Sequence, residues 1–368
     1  MLKKLEEKVW HKEWTQEDLH KYVGYFEDVY FTYATDPDIR SKAASGGTTS
    51  GLLVYLLETG QVDGVLVLRT VIKEGKARPE FFIATTREEV LSARGSKYSA
   101  VYFTRDAFPL IKAFDGRIAM VALPCDAMIT HNYRAKDPEF DKKIKYVFTL
   151  LCGHNSEPEL TDAVVDRIRP SSNVELMDYA YRTGHWRGEL KATFSDGTEV
   201  TRPFSHFSDY RNVYFFAQKK CHHCFDHFGY YCDLSMGDIW SPQMRNNPVK
   251  HTAVIVRTPE GRQLLEAAIA AGAIHGEKER VEDVVNGQAR TAPFHYNISA
   301  RSKVGRLFGM KIKDHTREKV RWNDAIVAGM ALLDQRVTST ALGRKLVLMM
   351  PRPVLKAYLY LLKGLESL

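Results

Sequence analysis

Short apolar runs alternate with amphipathic and charged segments over most of the chain. The runs most typical of strands are residues 64–69, 80–84, 118–123 and 146–151. Apolar runs of this length fit strands of a sheet that is covered on both faces. A segment with helical spacing ends at Gly60, and Ser45 is the residue expected to cap its start. The alternation predicts an α/β fold (mixed α+β), with a layered mixed β-sheet, flanking helices and a helical C-terminal extension.

The same patterns predict four parts of the chain: residues 1–40, 41–118, 119–290 and 291–368. The first part is rich in charged and aromatic residues and is expected to be a helical lead-in. In the third part, the patterns predict a helix at 157–169, antiparallel strands within 174–202, strands at 236–240 and 253–257, and a helix at 259–272. The rest of the chain is expected to be helical.

The fourth part is a basic, amphipathic tail. From Leu342 to Leu368 it combines many Leu, Met and Tyr residues with five Lys or Arg residues. Such a tail can lie on an anionic membrane surface. Packing as an ordinary terminal helix is the alternative, and the sequence favours it.

Composition narrows the class of protein. Of the 368 residues, 44% are apolar and 26% are charged, which is typical of a globular chain. No run reaches the roughly 18 apolar residues of a membrane span, and the start of the chain lacks the apolar core of a signal peptide. A cytoplasmic location is therefore expected, at most peripheral at the inner membrane surface. The basic residues are scattered, which argues against nucleic acid, and the net charge of +7 suits an acidic electron carrier or a phosphorylated cofactor.

The five cysteines carry the strongest chemical signal. Cys221 and Cys224 form a C-x-x-C pair, which supplies half of a tetrahedral metal shell. Two completions are open. Either His227 and Cys232 close a local zinc site, or two distant cysteines complete an all-cysteine iron–sulfur site.

The distant cysteines, Cys125 and Cys152, each follow an apolar run that predicts a strand. Strand ends of an open sheet meet at a common edge, so these thiols can approach the C-x-x-C pair. The alternative is that each is an inert small core residue, because free cysteine is often buried.

Six motifs in order resemble one family. They are Ser45-Gly46-Gly47, Gly95-Ser96-Lys97-Tyr98, Leu123-Pro124-Cys125, Cys152-Gly153-His154, the Cys221 to Cys224 pair with Asp226, and the segment from Asp233 to Trp240. Together they resemble the beta subunits of coenzyme F420 hydrogenases and dehydrogenases, which are flavin and iron–sulfur proteins. The resemblance spans roughly residues 40–260. It implies FAD in the part 41–118 and one 4Fe-4S cluster in the part 119–290.

The resemblance also implies site residues. Cys125, Cys152, Cys221 and Cys224 are the implied cluster ligands, and Cys232 is the spare. The implied FAD-binding residues are Ser45, Gly46, Gly47, Thr48, Arg94, Gly95, Ser96, Lys97 and Tyr98. Lys97 is expected to stabilise negative charge on reduced flavin, and His154 to serve as a proton donor. These two are the expected catalytic residues.

Residues 1–40 contain no cysteine, so no second cluster is expected there. Electrons would then come from a separate carrier, either ferredoxin-like or the deazaflavin coenzyme F420. The expected function is electron transfer between the cluster and FAD, with hydride transfer to or from a small-molecule substrate. The rivals are a zinc-stabilised binding or scaffold module and a regulatory protein without turnover. A homo-oligomer is compatible with the sequence.

Overall fold

The computed structural model describes residues 14–185, 188–240, 244, 247–288 and 291–366, and a mixed sheet of eight strands runs through their centre. The described residues form eleven strands in two sheets: β1 (Asp28–Ala34), β2 (Gly64–Lys73), β3 (Lys76–Ala84), β4 (Ile118–Ala122), β5 (Ile144–Leu150), β6 (Leu176–Thr183), β7 (Glu189–Phe194), β8 (Glu199–Pro203), β9 (Leu234–Asp238), β10 (Thr252–Val256) and β11 (Ile274–Lys278). The central sheet has the order β11-β1-β10-β9-β5-β4-β2-β3. The neighbouring pairs β2/β4, β4/β5 and β5/β9 are parallel, and the other pairs of this sheet are antiparallel. The predicted mixed sheet is confirmed.

Helices cover both faces of this sheet. The helices of the described residues are α1 (Gln16–Val23), α2 (Pro37–Ser41), α3 (Thr48–Glu58), α4 (Arg87–Ser92), α5 (Phe103–Asp106), α6 (Phe108–Ala113), α7 (Pro124–Arg134), α8 (Pro138–Lys143), α9 (Pro158–Ile168), α10 (Ser205–Arg211), α11 (Pro259–Ala270), α12 (Val281–Gly287), α13 (Ala292–Tyr296), α14 (Ile298–Gly305), α15 (Trp322–Thr338), α16 (Ala341–Met349) and α17 (Arg352–Glu366). On one face, Leu52 of α3 and Leu264 of α11 pack against the strands. On the other face, Phe108 of α6 and Phe140 of α8 do so. The layered α/β architecture follows from burial of both faces.

A smaller antiparallel sheet, β6-β7-β8, lies in the chain between β5 and β9. Its apolar side packs with α9, α10 and the C-terminal helices around Leu190, Phe207 and Leu355. The long segment between β5 and β9 therefore leaves the central sheet and returns to it. Strand β9 pairs directly with β5, which brings the residues before it back to the carboxyl edge of β5.

Two expectations about secondary structure were wrong. Residues 28–34, expected in the helical lead-in, form β1, which pairs with β10 and β11 inside the sheet. Val29, Tyr30 and Phe31 are all buried there, because the strand is covered on both faces. Residues 274–278, expected to be helical, form the edge strand β11. Residues 1–13 of the lead-in lie outside the described part, and the division into four parts stays a prediction.

The C-terminal tail packs on the body of the protein, which is the alternative that the sequence favours. Leu355 and Leu362 of α17 are fully buried. Leu342, Leu346 and Met349 of α16 are exposed. In the described part, no helix is both long and apolar enough to cross a membrane.

Candidate cofactor site

Cysteine positions follow from the sheet topology. Cys125 lies in the first turn of α7, directly after β4, and Cys152 lies two residues after β5. Strands β4 and β5 are parallel neighbours, so both thiols lie at the same sheet edge. Cys221 lies in a short 3₁₀ turn, Lys219–His223, and Cys224 follows that turn. The backbone N–H of Asn155 donates to Cys221 Sγ at 3.4 Å, which joins this turn to the segment after β5.

The four thiols interact electrostatically. Burial raises the pKa of Cys152, and Cys221 and Cys224 raise it further. Burial raises the pKa of Cys125 strongly, and among the smaller causes are Cys224 and Cys152. Burial, followed by Asp226 and Cys221, raises the pKa of Cys224 to about 12. Cys152 and Cys224 thus raise the pKa of Cys125, and Cys221 raises that of Cys152 and Cys224, as expected of thiols gathered at the same sheet edge.

Within the described residues, no group of three or more His, Cys, Asp or Glu side chains is placed to share a single metal ion. The ligand set of the zinc alternative is also not brought together. His227 bonds through Nδ1 to the Cys152 carbonyl at 2.9 Å and through Nε2 to Gln288 at 3.3 Å. Cys232 instead contacts Thr149 at 3.1 Å and Ser235 at 3.2 Å. Cys232 thus packs in the hydrophobic core.

Two buried arginines lie beside the thiols. Arg301 is only 1% exposed, and it donates to the carbonyls of His222 at 3.0 Å and Cys224 at 2.7 Å. Arg211 is 9% exposed, and it donates to the His154 carbonyl at 2.6 Å. Arg301 Nη1 and Arg211 Nε have no hydrogen-bond partner among the described residues.

Neither arginine forms an ion pair with a carboxylate in the described part of the chain. Burial lowers the pKa of Arg301 to about 10, although Tyr214, Cys224 and Cys221 act in the opposite direction. A guanidinium remains charged at neutral pH even with this shift. An unpaired buried charge costs several kcal/mol, roughly. Two buried cations without a carboxylate partner in the described part therefore lie beside the thiols, and an anionic group would compensate them.

Several buried histidines surround the same region. His154 is buried against Tyr214, with 5.1 Å between ring centres, and its Nε2 has no partner among the described residues. His222 has no partner in that set for either ring nitrogen. Burial lowers the pKa of His154 far below its usual value, and lowers that of His222 to about 3 with help from Arg301. Both rings are therefore neutral at pH 7.

The first predicted flavin segment lies at the start of α3. Gly47 precedes the helix with φ +80°, and no side chain caps the helix start. Ser45, expected to be the cap, instead donates to the His251 carbonyl at 2.8 Å, so that prediction was wrong. A Cβ on Gly46 would lie 2.6 Å from the Thr32 carbonyl, so Gly46 is needed for packing against β1. Thr48 is buried and shares a 2.7 Å hydrogen bond with Thr32.

The second predicted flavin segment follows α4. Lys97 donates to the carbonyls of Ala93, Arg94 and Gly95, with the latter two at 3.1 Å. Burial lowers the pKa of Lys97 to about 7. Arg94 likewise donates to backbone carbonyls, those of Leu91 at 2.8 Å and Asp38 at 2.5 Å. Both cations therefore stabilise the carboxyl end of α4, and the catalytic role of Lys97 stays a prediction.

This second segment runs directly beside the thiol site. Ser156 N–H donates to the Tyr98 carbonyl at 3.2 Å, and Asn155 Nδ2 donates to the Ser99 carbonyl at 3.1 Å. The backbone N–H of the same Asn155 donates to Cys221. Asn155 thus connects the second predicted flavin segment to a thiol.

Sequence reasoning missed Asn155, Arg211, Arg301 and Arg182. Arg182, at the end of β6, lies between the flavin segments and pairs with Asp238. Its position after the apolar, aromatic run Tyr179-Ala180-Tyr181 was the one local signal of a buried charge. The sequence around Arg301 carries no comparable signal.

Comparison with known proteins assigns the family. Residues 29–105 match the model for the N terminus of the coenzyme F420 hydrogenase/dehydrogenase beta subunit. Residues 115–282 match the model for the C terminus of the same type of protein. The chain belongs to this family. The resemblance inferred from the motifs is confirmed.

Curated relatives of the chain are named as components of oxidoreductases. The beta subunit of coenzyme F420 hydrogenase in Methanosarcina barkeri is 26% identical over 275 residues, covering 72% of this chain and 86% of the relative. The coenzyme F420 hydrogenase beta subunit of Methanothermobacter thermautotrophicus is 26% identical over 303 residues, covering 77% and 98%. The beta subunit of F420-dependent formate dehydrogenase 1 in Methanococcus maripaludis is 28% identical, covering 66% and 59%. The chain thus matches most of the two hydrogenase proteins and about three fifths of the formate dehydrogenase protein.

A solved structure shares the fold. A chain of the F420-reducing NiFe hydrogenase complex from Methanosarcina barkeri superposes with a TM-score of 0.55 at 21% identity. The match covers 80% of this chain and 98% of that one. The α/β architecture is therefore that of a chain from a known redox complex.

Proposed function

We propose that this protein is an oxidoreductase that uses FAD and one 4Fe-4S cluster. Electrons would pass between the cluster and the flavin, with hydride transfer to or from a small-molecule substrate. Because the relatives are named for coenzyme F420, that deazaflavin is one candidate for the separate electron carrier, and a ferredoxin-like protein is the other. When bound, FAD supplies the hydride chemistry and the cluster supplies single-electron transfer.

The buried arginines beside four thiols carry the proposal. Arg211 and Arg301 have unpaired N–H groups and no carboxylate partner among the described residues. An iron–sulfur cluster held by four thiolates bears net negative charge, so it would compensate both cations. Proton-bearing thiols would leave the two charges uncompensated. The donor set therefore fits an anionic cluster better than neutral cysteines.

The lack of a single-ion site among the described residues is compatible with a cluster. No described group of three or more ligand side chains can hold one metal ion, yet Cys221 and Cys224 both act on the pKa of Cys152. The ligands of one ion crowd around a point, whereas a cluster of irons and sulfides separates its ligands. In this role Cys125, Cys152, Cys221 and Cys224 would be the ligands. Cys232, held by Thr149 and Ser235, would not be one.

Flavin binding is proposed at the start of α3 and at Tyr98. The first N–H groups of α3 receive no side-chain cap, and a helix N-terminus attracts phosphate. Tyr98 lies on the segment that Asn155 joins to Cys221, so a flavin held there would lie beside the cluster ligands. Burial keeps the His154 ring neutral at pH 7, so it carries no extra proton to donate there, and its role as a proton donor stays a prediction.

Cofactor analysis after anaerobic purification tests the proposal. We expect about four irons and one FAD per chain, with iron–sulfur absorption. Cys221→Ser should remove the iron, whereas Cys232→Ser should keep it, because Cys232 lies in the core. A preparation with zinc in place of iron, or iron that persists in Cys221→Ser and disappears in Cys232→Ser, would overturn the ligand set. A protein that binds no FAD would overturn the flavin part.

The remaining expectations about partners and place stay predictions. We propose a cytoplasmic protein that works with a separate electron carrier, without nucleic acid. Peripheral membrane contact would use the exposed side chains of α16, and a homo-oligomer is compatible with this function.

A further inference from the structure

We infer that Arg182 is the positioning residue that holds the two flavin segments in place. The inference rests on the proposed function and deepens it, since it concerns the same flavin. It names a residue on the small sheet that belongs to neither flavin segment.

Arg182 makes four hydrogen bonds to three separate parts of the chain. Its two terminal nitrogens donate to the two carboxylate oxygens of Asp238 at 2.7 and 2.9 Å. One of them also donates to the Tyr98 hydroxyl at 3.3 Å, and the other to the Ala44 carbonyl. The guanidinium therefore joins β6, β9 and both flavin segments at one point.

Arg182 contacts residues within or next to the two flavin segments. Ala44 directly precedes Ser45-Gly46-Gly47, and Tyr98 ends the Gly95-Ser96-Lys97-Tyr98 motif. Lys250 strengthens the first contact, because it donates to the carbonyls of Ala43 at 2.6 Å and Gly184 at 3.0 Å. The loop before α3 is thereby held from two sides by cations.

Arg182 is buried and Asp238 is half-buried, so the geometry of the pair is restricted. The Arg182 side chain is 6% exposed and that of Asp238 is 24% exposed. Burial acts to lower the pKa of Arg182, but Asp238 and Tyr98 outweigh it and the pKa is raised. The Trp240 ring centre lies 5.2 Å from the guanidinium carbon and closes the group off further. The Arg182 guanidinium therefore stays positively charged, and its orientation is fixed by these contacts.

A planar fork is required for this arrangement. Guanidinium binds a carboxylate through two parallel N–H groups and still has donors for other acceptors, whereas an ammonium is a point charge on a flexible stem. Lysine at this position keeps the charge but cannot reach Asp238, Tyr98 and Ala44 together. Arg182→Lys therefore keeps the positive charge but loses the hydrogen bonds that hold the two flavin segments.

The test measures FAD affinity, iron content and melting temperature of the purified full-length protein. Arg182→Lys should weaken FAD binding about tenfold or more, with iron per chain unchanged. The matched control is Arg257→Lys. Arg257 is also buried and donates to the carbonyls of Val23 at 2.7 Å and Phe228 at 3.1 Å, away from the flavin segments. Arg257→Lys should lower the melting temperature and leave FAD affinity within about twofold of wild type.

Asp238→Asn serves as a second variant, because it keeps the shape of the pair and removes the charge partner of Arg182. It should weaken FAD binding in the same direction, and shift the visible circular dichroism of bound FAD. FAD affinity equal to wild type in a folded Arg182→Lys or Asp238→Asn protein would overturn the inference alone. An equal loss of affinity in Arg257→Lys would also overturn it, since the effect would then be general. Wild-type protein without FAD would overturn the proposed function as well.

Discussion

A buried carboxyl group, Asp334 of α15, gives a quantitative prediction about stability. It is 4% exposed, and both of its oxygens accept from the Tyr358 hydroxyl of α17, at 2.9 and 2.8 Å. Burial raises the pKa of Asp334 from 3.8 to about 7, and the Tyr358 bond counteracts this only in part. The folded protein therefore binds a proton that the unfolded chain releases at lower pH.

The direction of the pH dependence follows from this difference in proton binding between the folded and unfolded states. Between the unfolded and folded pKa values the native state holds more protons, so the free energy of unfolding falls as pH rises. One pKa unit corresponds to about 1.4 kcal/mol, so this group should cost roughly 3 kcal/mol between about pH 5 and about pH 8. Asp334→Asn removes the titration and keeps an oxygen that can accept from Tyr358. Its stability relative to wild type should therefore increase with pH by about that amount.

Urea unfolding of both proteins across this pH range provides the measurement. Subtracting wild type from variant cancels the other titrating groups. A Tyr358→Phe variant should lose stability most at high pH, because it leaves a charged carboxylate without its donor. A stability difference between Asp334→Asn and wild type that does not change with pH would refute the reasoning.

Two further pairs of substitutions, each a test and its control, probe the start of α3 and the C-terminal tail. Gly47→Ala should cost about 1–2 kcal/mol of backbone strain because φ is +80°, and the new Cβ would also lie 3.2 Å from Ile39. Gly60→Ala, at φ +64° with open space around it, should cost only the backbone strain. Equal losses of stability in chemical unfolding would contradict this expectation. Leu355→Ala should cost about 2–5 kcal/mol because that side chain is fully buried, while Leu361→Ala, 57% exposed, should change stability by less than about 0.5 kcal/mol. A tail that does not pack on the body would give the same thermal stability for both.

Strands and cysteine positions were predictable because they depend on local patterns. The runs ending near Cys125 and Cys152 are largely apolar, and their parallel pairing places both residues at one edge. Strand β1 was missed because its aromatic residues follow a charged segment that resembles a helical lead-in. Strand β11 was missed because only Ile274 is fully buried in it, and its pairing with β1 joins distant parts of the chain.

The electrostatics of the site could not be predicted from the sequence. Lys97 and Arg94 read as ligand-binding cations, but their donors are directed to carbonyls at the end of α4. Nothing in the sequence singles out Arg301 and Arg211, because a missing counter-ion is a property of the folded environment. The connecting role of Asn155 depends on a bridge between residues 99 and 156, which no local pattern encodes.

The order of the thiols along the chain has a consequence for biogenesis. Cys125 and Cys152 leave the ribosome well before Cys221 and Cys224, and the whole small sheet is synthesised between the two pairs. A nascent chain has only half of the thiols until that sheet has emerged, and Arg301 is added later still. Assembly of the proposed cluster site therefore requires synthesis at least as far as Cys224, and chains truncated before that residue are expected to be unable to form it.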